Sequence, residues 1–221
     1  MPIRVANDIP AKNQLTEEGI IFIEETRANT QDIRPLNILI LNLMPKKEET
    51  ERQLLRLLGN SPLQITVEFL HTTSHIAKNT AQSYLEKFYK TFDEVKDKYY
   101  DGLIITGAPI EQLEFEDVNY WGELNSIFEW SKTHVFSTLN ICWAAQASLY
   151  YHFGVKKEQV ADKIFGVFEH DVLIENHTLT RGFTDTFLAP HSRHTRIEEE
   201  KLPTISELDV LAKSEEVGTL I

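Results

Sequence analysis

Four short strand-like runs limit what this chain can fold into. "LNILILNLMP" (Leu36 to Pro45) carries Leu or Ile at six of its first eight positions and is stopped by proline. "LQITVEFL" (Leu63 to Leu70), "DGLIITGAP" (Asp101 to Pro109) and "HVFSTLNIC" (His134 to Cys142) follow. Continuous apolar runs such as the first and third suit strands buried on both faces, and the other two read as further strands. Helical patterns fill the gaps. In "KKEETERQLLRLLGN", Leu54, Leu55, Leu57 and Leu58 form one stripe, with acids at the start and Gly59 at the end. "TAQSYLEKFYKTFDEVKDKYY" (Thr80 to Tyr100) reads as one long amphipathic helix, with Leu85, Phe88, Phe92 and Val95 at helical spacing. A helix is expected from about Val118 to Ser131, and another over "WAAQASLYYHFG", closed by Gly154. The alternation predicts an α/β fold, a mostly parallel sheet with helices on both faces.

The pattern changes after Gly154. "KIFGVFEHDVLIENHTLTRGF" reads as short strands and turns, in the manner of a hairpin, and "DVLAKS" and "EVGTLI" are two further strand-like pieces. The first 34 residues are mixed and polar, which suggests an N-terminal arm (1–34) lying on one domain (35–221). The chain stops at Ile221 on an apolar run, so the domain is expected to be truncated at its C-terminus.

Composition removes several function classes. A net charge of −12 over 221 residues argues against nucleic acid or an anionic membrane as partner. One cysteine allows no internal disulfide and fits the reducing cytoplasm. No apolar run approaches the ~18 residues of a membrane span, and no Cys pair or HExxH motif suggests a metal.

The single cysteine, Cys142, ends the fourth strand and opens a helix of mostly small residues. A lone thiol is often just a small buried hydrophobe. Here small neighbours permit the sharp strand-to-helix turn of a nucleophile elbow, and the helix macrodipole favours negative charge at that point. The Trp143 backbone N–H, with a second donor from "TGAP", would then hold an oxyanion. Candidate bases are His170 in "FEH" and His191 and His194 in "APHSRHT". His71, His75, His134, His152 and His177 have no motif around them. Lys46 and Lys47 end a strand, where they would meet a ligand's phosphates or simply open a helix.

"NILILNLMPKKEETERQLLRLLGNSPLQ", "FYKTF", "DGLIITGAPIEQLEFEDVNYW", "ICWAAQA", "FGVFEH" and "APHSRHT" resemble, in order and at consistent spacing, the homoserine O-acyltransferases of the MetA type. The resemblance implies a fold like the class I glutamine amidotransferases. It implies acyl transfer from acyl-CoA to L-homoserine in methionine biosynthesis, with no permanently bound cofactor. It places the acyl-thioester on Cys142 and substrate contacts on Lys163 and Ser192, leaving His191 and His194 as neighbours of Ser192. It makes the residue two after the "GAP" proline the selector of acyl donor. That residue is Glu111, whose carboxylate would repel the second carboxylate of a succinyl group, so acetyl-CoA is the expected co-substrate. A homodimer is a further expectation.

The family's base His, the Glu that orients it and a substrate-binding Arg lie beyond the position of Ile221. A chain without them is expected to be a fragment of an active enzyme or catalytically dead, with an exposed apolar sheet edge. Homoserine O-succinyltransferase activity, or glutamine hydrolysis or another hydrolase chemistry on the same fold, are the alternatives.

Overall fold

The computed structural model describes residues 3–30, 34–75 and 80–221. Parts of the expected arm, residues 1–2 and 31–33, lie outside the described residues. The chain divides into two compact units. The first comprises Met1–Pro109 and Phe115–Ala145, the second Ile110–Glu114 and Gln146–Ile221.

The first unit runs β1 (Ile3–Val5), α1 (Ala11–Glu17), β2 (Phe22–Glu24), α2 (Glu25–Ala28), β3 (Leu36–Leu41), α3 (Lys47–Gly59), β4 (Ile65–Leu70) and α4 (Gln82–Phe88). It continues with β5 (Tyr89–Lys90), α5 (Phe92–Val95), β6 (Tyr100–Ile105), α6 (Trp121–His134) and β7 (Val135–Asn140), and α7 (Trp143–Phe153) begins there. The sheet order is β2-β1-β4-β3-β6-β7, with β5 against β4, and every pairing is parallel. Side chains alternate across a strand. Ile40 and Ile104 therefore join one core, with Leu15 of α1, Leu55 of α3 and Leu85 of α4. Leu39, Leu41, Leu103 and Ile105 face the other side and are equally buried. That double burial is why the strands read as continuous apolar runs. The edge strand β7 is different: Phe136 is 93% exposed and Leu139 is exposed too.

Among the described residues of the expected arm, β1 pairs with β4 and β2 extends the order beyond it. One expectation changes. Residues 80–100 do not form one helix. Tyr89 is extended (φ −112°, ψ 152°), and its hydroxyl donates to buried Glu51 at 2.5 Å while accepting from Asn42 Nδ2 at 2.9 Å. The backbone of Thr91 then donates to the Glu94 carboxylate at 2.7 Å and caps a new helical turn, α5. A buried polar network outweighs a helical period that would have passed through these residues.

The second unit holds β8 (Lys157–Val172), β9 (Thr186–Ile197), a 3-10 turn (Glu199–Thr204), β10 (Ala212–Ser214) and β11 (Gly218–Thr219). Its sheet order is β11-β10-β8-β9, antiparallel throughout. The β8–β9 hairpin runs longer than its sequence suggests, with an irregularity between Gln159 and Ile164.

Candidate active site

Because β3, β6 and β7 are parallel neighbours, their carboxyl ends lie along one edge, the usual place for a ligand in an open α/β sheet. The ladder extends one residue past each strand. Thr106 N donates to Leu41 O, and Ile141 N to Ile105 O, both at 3.0 Å. The Thr106 hydroxyl accepts from Leu43 N at 2.8 Å, which joins the segment after β3 to the "TGAP" segment. The segments after β3 and β6 thus meet, and Ile141 brings the end of β7 alongside.

Cys142 sits among them with φ 56°, a left-handed conformation that a residue with a Cβ rarely adopts. Its thiol is exposed. The helix starts immediately: Ala144 N donates to Ile141 O at 3.1 Å and Ala145 N to Cys142 O at 3.0 Å. Trp143 turns the opposite way. It is fully buried against Phe115 and Tyr120, with ring centroids 5.9 and 6.1 Å away. The buried indole anchors the turn from which the thiol projects. Its backbone N–H belongs to the first turn of α7, where amides have no partner inside the helix. Gly107 completes the arrangement. A Cβ there would lie 3.2 Å from Cys142 Cβ and 3.7 Å from its Sγ, so only glycine lets this backbone run against the cysteine without displacing it.

Lys47, at the start of α3, is buried, and its Nζ donates to Asn42 O at 2.5 Å. Burial pulls its pKa down to about 8, although Glu51 opposes that shift. Burial raises the pKa of Glu51 against the hydrogen bonds donated by Tyr89 and Tyr84. These groups close on one another within the first unit, so Lys47 reads as part of a buried network.

The second unit contains the other three sequence-derived residues. Ser192 on β9 and Phe165 on β8 are paired in register, and Lys163 lies two residues before Phe165. The Lys163 ammonium sits 5.1 Å from the centre of the Phe165 ring, a cation–π contact on the exposed face of the hairpin. Ser192 is exposed on the same sheet. Lys163 and Ser192 are therefore brought to one patch. Glu111 is half-buried in the Ile110–Glu114 turn, which clusters with this unit. The Lys157 ammonium donates to Glu111 O at 2.7 Å and also to Leu113 O.

Two of the candidate bases occupy each other. His170 and His191 stack at 4.9 Å and 3°, with their Nε2 atoms 2.9 Å apart. With His170 Nδ1 donating to Phe168 O at 3.0 Å, His170 Nε2 is the acceptor and His191 Nε2 the donor. Burial, then Arg193 and His170, hold the His191 pKa down to about 4. The pair fits a structural role beside Ser192.

Sequence reasoning missed Gly107, Thr106, Phe165, Lys157 and the buried bond from Thr195 Oγ1 to Gln146 Oε1 at 3.0 Å. All but Lys157 had a signal, since Thr106, Gly107, Gln146, Phe165 and Thr195 sit inside the quoted motifs. Among the described residues no group of three or more His, Cys, Asp or Glu could hold a metal. Nor is any helix among them long and apolar enough to cross a membrane.

Comparison with known proteins adds to this geometry. A family model described as Homoserine O-succinyltransferase matches residues 2–221. A protein from Lachnoclostridium phytofermentans named Homoserine O-acetyltransferase is 60% identical over 221 residues, which is all of this chain and 73% of that relative. One of the same name from Acetivibrio thermocellus is 55% identical over 221 residues, covering 72% of its length. A solved glutamine amidotransferase from Thermotoga maritima matches with a TM-score of 0.58 at 13% identity, over 84% of this chain and 70% of that one. This last likeness is one of fold and bears out the amidotransferase-like architecture.

Proposed function

Since the chain belongs to the homoserine O-succinyltransferase family, an acyltransferase family of methionine biosynthesis, and spans 72–73% of the length of the relatives above, we propose that it carries the Cys142 thioester centre of an enzyme that transfers an acetyl group from acetyl-CoA to the hydroxyl of L-homoserine. The observation that carries this reading is the left-handed, exposed Cys142 held between buried Trp143 and the bare backbone of Gly107. Holding a non-glycine residue at positive φ costs about 1–3 kcal/mol, a strain that clusters at functional sites.

In the first half-reaction the Cys142 sulfur attacks the acetyl-CoA carbonyl. The developing oxyanion is received by the Trp143 N–H and by an amide of the 106–109 segment. The bond to the coenzyme sulfur breaks, and coenzyme A leaves as the thiol with the proton that Cys142 gave up. In the second, the homoserine hydroxyl attacks the thioester, its proton returns to the Cys142 sulfur and O-acetyl-L-homoserine departs. Lys163 holds the homoserine carboxylate and Ser192 hydrogen-bonds its polar groups. Glu111 excludes a succinyl chain by charge repulsion. Relatives named Homoserine O-acetyltransferase support the acetyl donor over the succinyl one. The reading keeps the reaction in the cytoplasm, with acyl-CoA as co-substrate and no resident cofactor.

Mass spectrometry after incubation with acetyl-CoA tests it. The expected result is one acetyl adduct, located on Cys142 and missing from Cys142→Ala. An adduct that persists in Cys142→Ala, or ammonia release from glutamine in place of acylation, overturns it.

A further inference from the structure

The turn Ile110–Glu114 is held by little of its own. It lies in no helix or strand, and its internal backbone bond runs from Leu113 N to Ile110 O at 3.0 Å. Gln112 and Leu113 are exposed. One cation gathers it. The carbonyl oxygens of Glu111 and Leu113 both accept from the Lys157 ammonium, the first at 2.7 Å. Lys157 itself is fixed, because it lies on β8 in register with Ile197 of β9. Its ammonium faces two carbonyl dipoles, and charge-assisted bonds of this kind are about twice as strong as neutral ones.

We propose that Lys157 is the positioning residue for acyl-donor selection: it clamps the Ile110–Glu114 turn to the hairpin that carries Lys163 and Ser192, and so fixes where the Glu111 carboxylate stands. The inference rests on the reading of Glu111 as donor selector. Repulsion between two carboxylates falls with distance and with solvent screening. A carboxylate on a wandering turn would discriminate poorly against succinate, and one held at its own carbonyl and again two residues on would discriminate well. A sequence scan passes over Lys157, which lies 46 positions from its partner.

The test compares the wild-type chain with Lys157→Met, Lys157→Arg and Glu111→Gly. Each is mixed with equal acetyl-CoA and succinyl-CoA, and the two adducts on Cys142 are weighed at early times. Amide exchange over residues 110–114 is followed in parallel. Wild type is expected to favour acetyl and Glu111→Gly to lose that preference. Lys157→Met is expected to lower the acetyl-to-succinyl ratio by about tenfold and to speed exchange in the turn by a similar factor, while β8 and β9 keep their protection. Lys157→Arg is expected to restore both. If wild type shows no acetyl preference, or Glu111→Gly keeps it, the donor reading itself fails. If wild type and Glu111→Gly behave as expected but Lys157→Met leaves the ratio and the exchange unchanged, or Lys157→Arg restores neither, the clamp is overturned alone.

Discussion

Strands β3 and β8 place their side chains differently. In β3, Leu39, Ile40 and Leu41 are all fully buried, whichever face they point to. In β8 burial alternates: Ile164, Phe168 and His170 turn inward, while Phe165 and Val167 are 72% and 63% exposed. The first strand is closed on both sides by helices and has no room for a site along its length, so chemistry moves to its carboxyl end. The second keeps one open face, and the candidate substrate residues Lys163 and Ser192 lie along the hairpin. The first unit thus carries exposed Cys142 at a strand end, and the second carries Lys163 and Ser192 on an accessible face.

Acid should separate the two most strongly. His191 titrates near 4 in the folded hairpin against the ordinary 6.5, so the unfolded chain binds its proton first. Stability from this group is complete above pH 6.5 and is lost as pH falls from 6.5 to about 4. Glu51 in the first unit has the opposite sign, because its raised pKa stabilises the fold as it takes up a proton. Amide exchange at pH 4.5 should open β8 and β9 before β3 and β6, and His191→Gln should shrink the gap. Simultaneous opening of both sheets would break the comparison.

Gly107→Ala probes the nucleophile turn. Its added Cβ meets Cys142 Cβ at 3.2 Å, and overpacking of this kind costs about 1–3 kcal/mol. Acetylation of Cys142 should slow by about tenfold or more, with the β8–β9 exchange pattern unchanged. A variant that acylates at the wild-type rate would remove the close approach from the argument.

The smallest effect concerns the open face. Phe165→Ala removes the ring beneath Lys163, worth about 0.5–1 kcal/mol at an exposed site. The homoserine KM should rise by roughly three- to fivefold with kcat little changed. A fall in kcat with KM unmoved would assign Phe165 a different role.

Much of the first unit was legible. The runs at Leu36, Leu63, Asp101 and His134 all became parallel strands; for Leu36 and Asp101, burial on two faces leaves an uninterrupted apolar signature that survives in one dimension, while the His134 run became the exposed edge strand β7. Cys142 was legible for a related reason: strand end, small residues and helix start are all local. The break at Tyr89 was not, since its cause is Glu51, 38 positions away. The hairpin was only half visible, because an antiparallel strand with one wet face mixes Phe165 and Val167 with charged neighbours.

By itself the sequence determined the strand set of the parallel sheet, the elbow cysteine and the family to which the chain belongs. The first two are properties of local pattern along the chain, and the family rests on whole motifs in order and at consistent spacing. Only the tertiary structure decided that Cys142 adopts positive φ, that Gly107 runs closely beside it and that His170 and His191 share a hydrogen bond. It likewise decided that Lys157 gathers the Glu111 turn. Each of these depends on contacts between residues 21 to 46 positions apart or on a backbone angle imposed by such packing. Distance through space is not written in order along the chain.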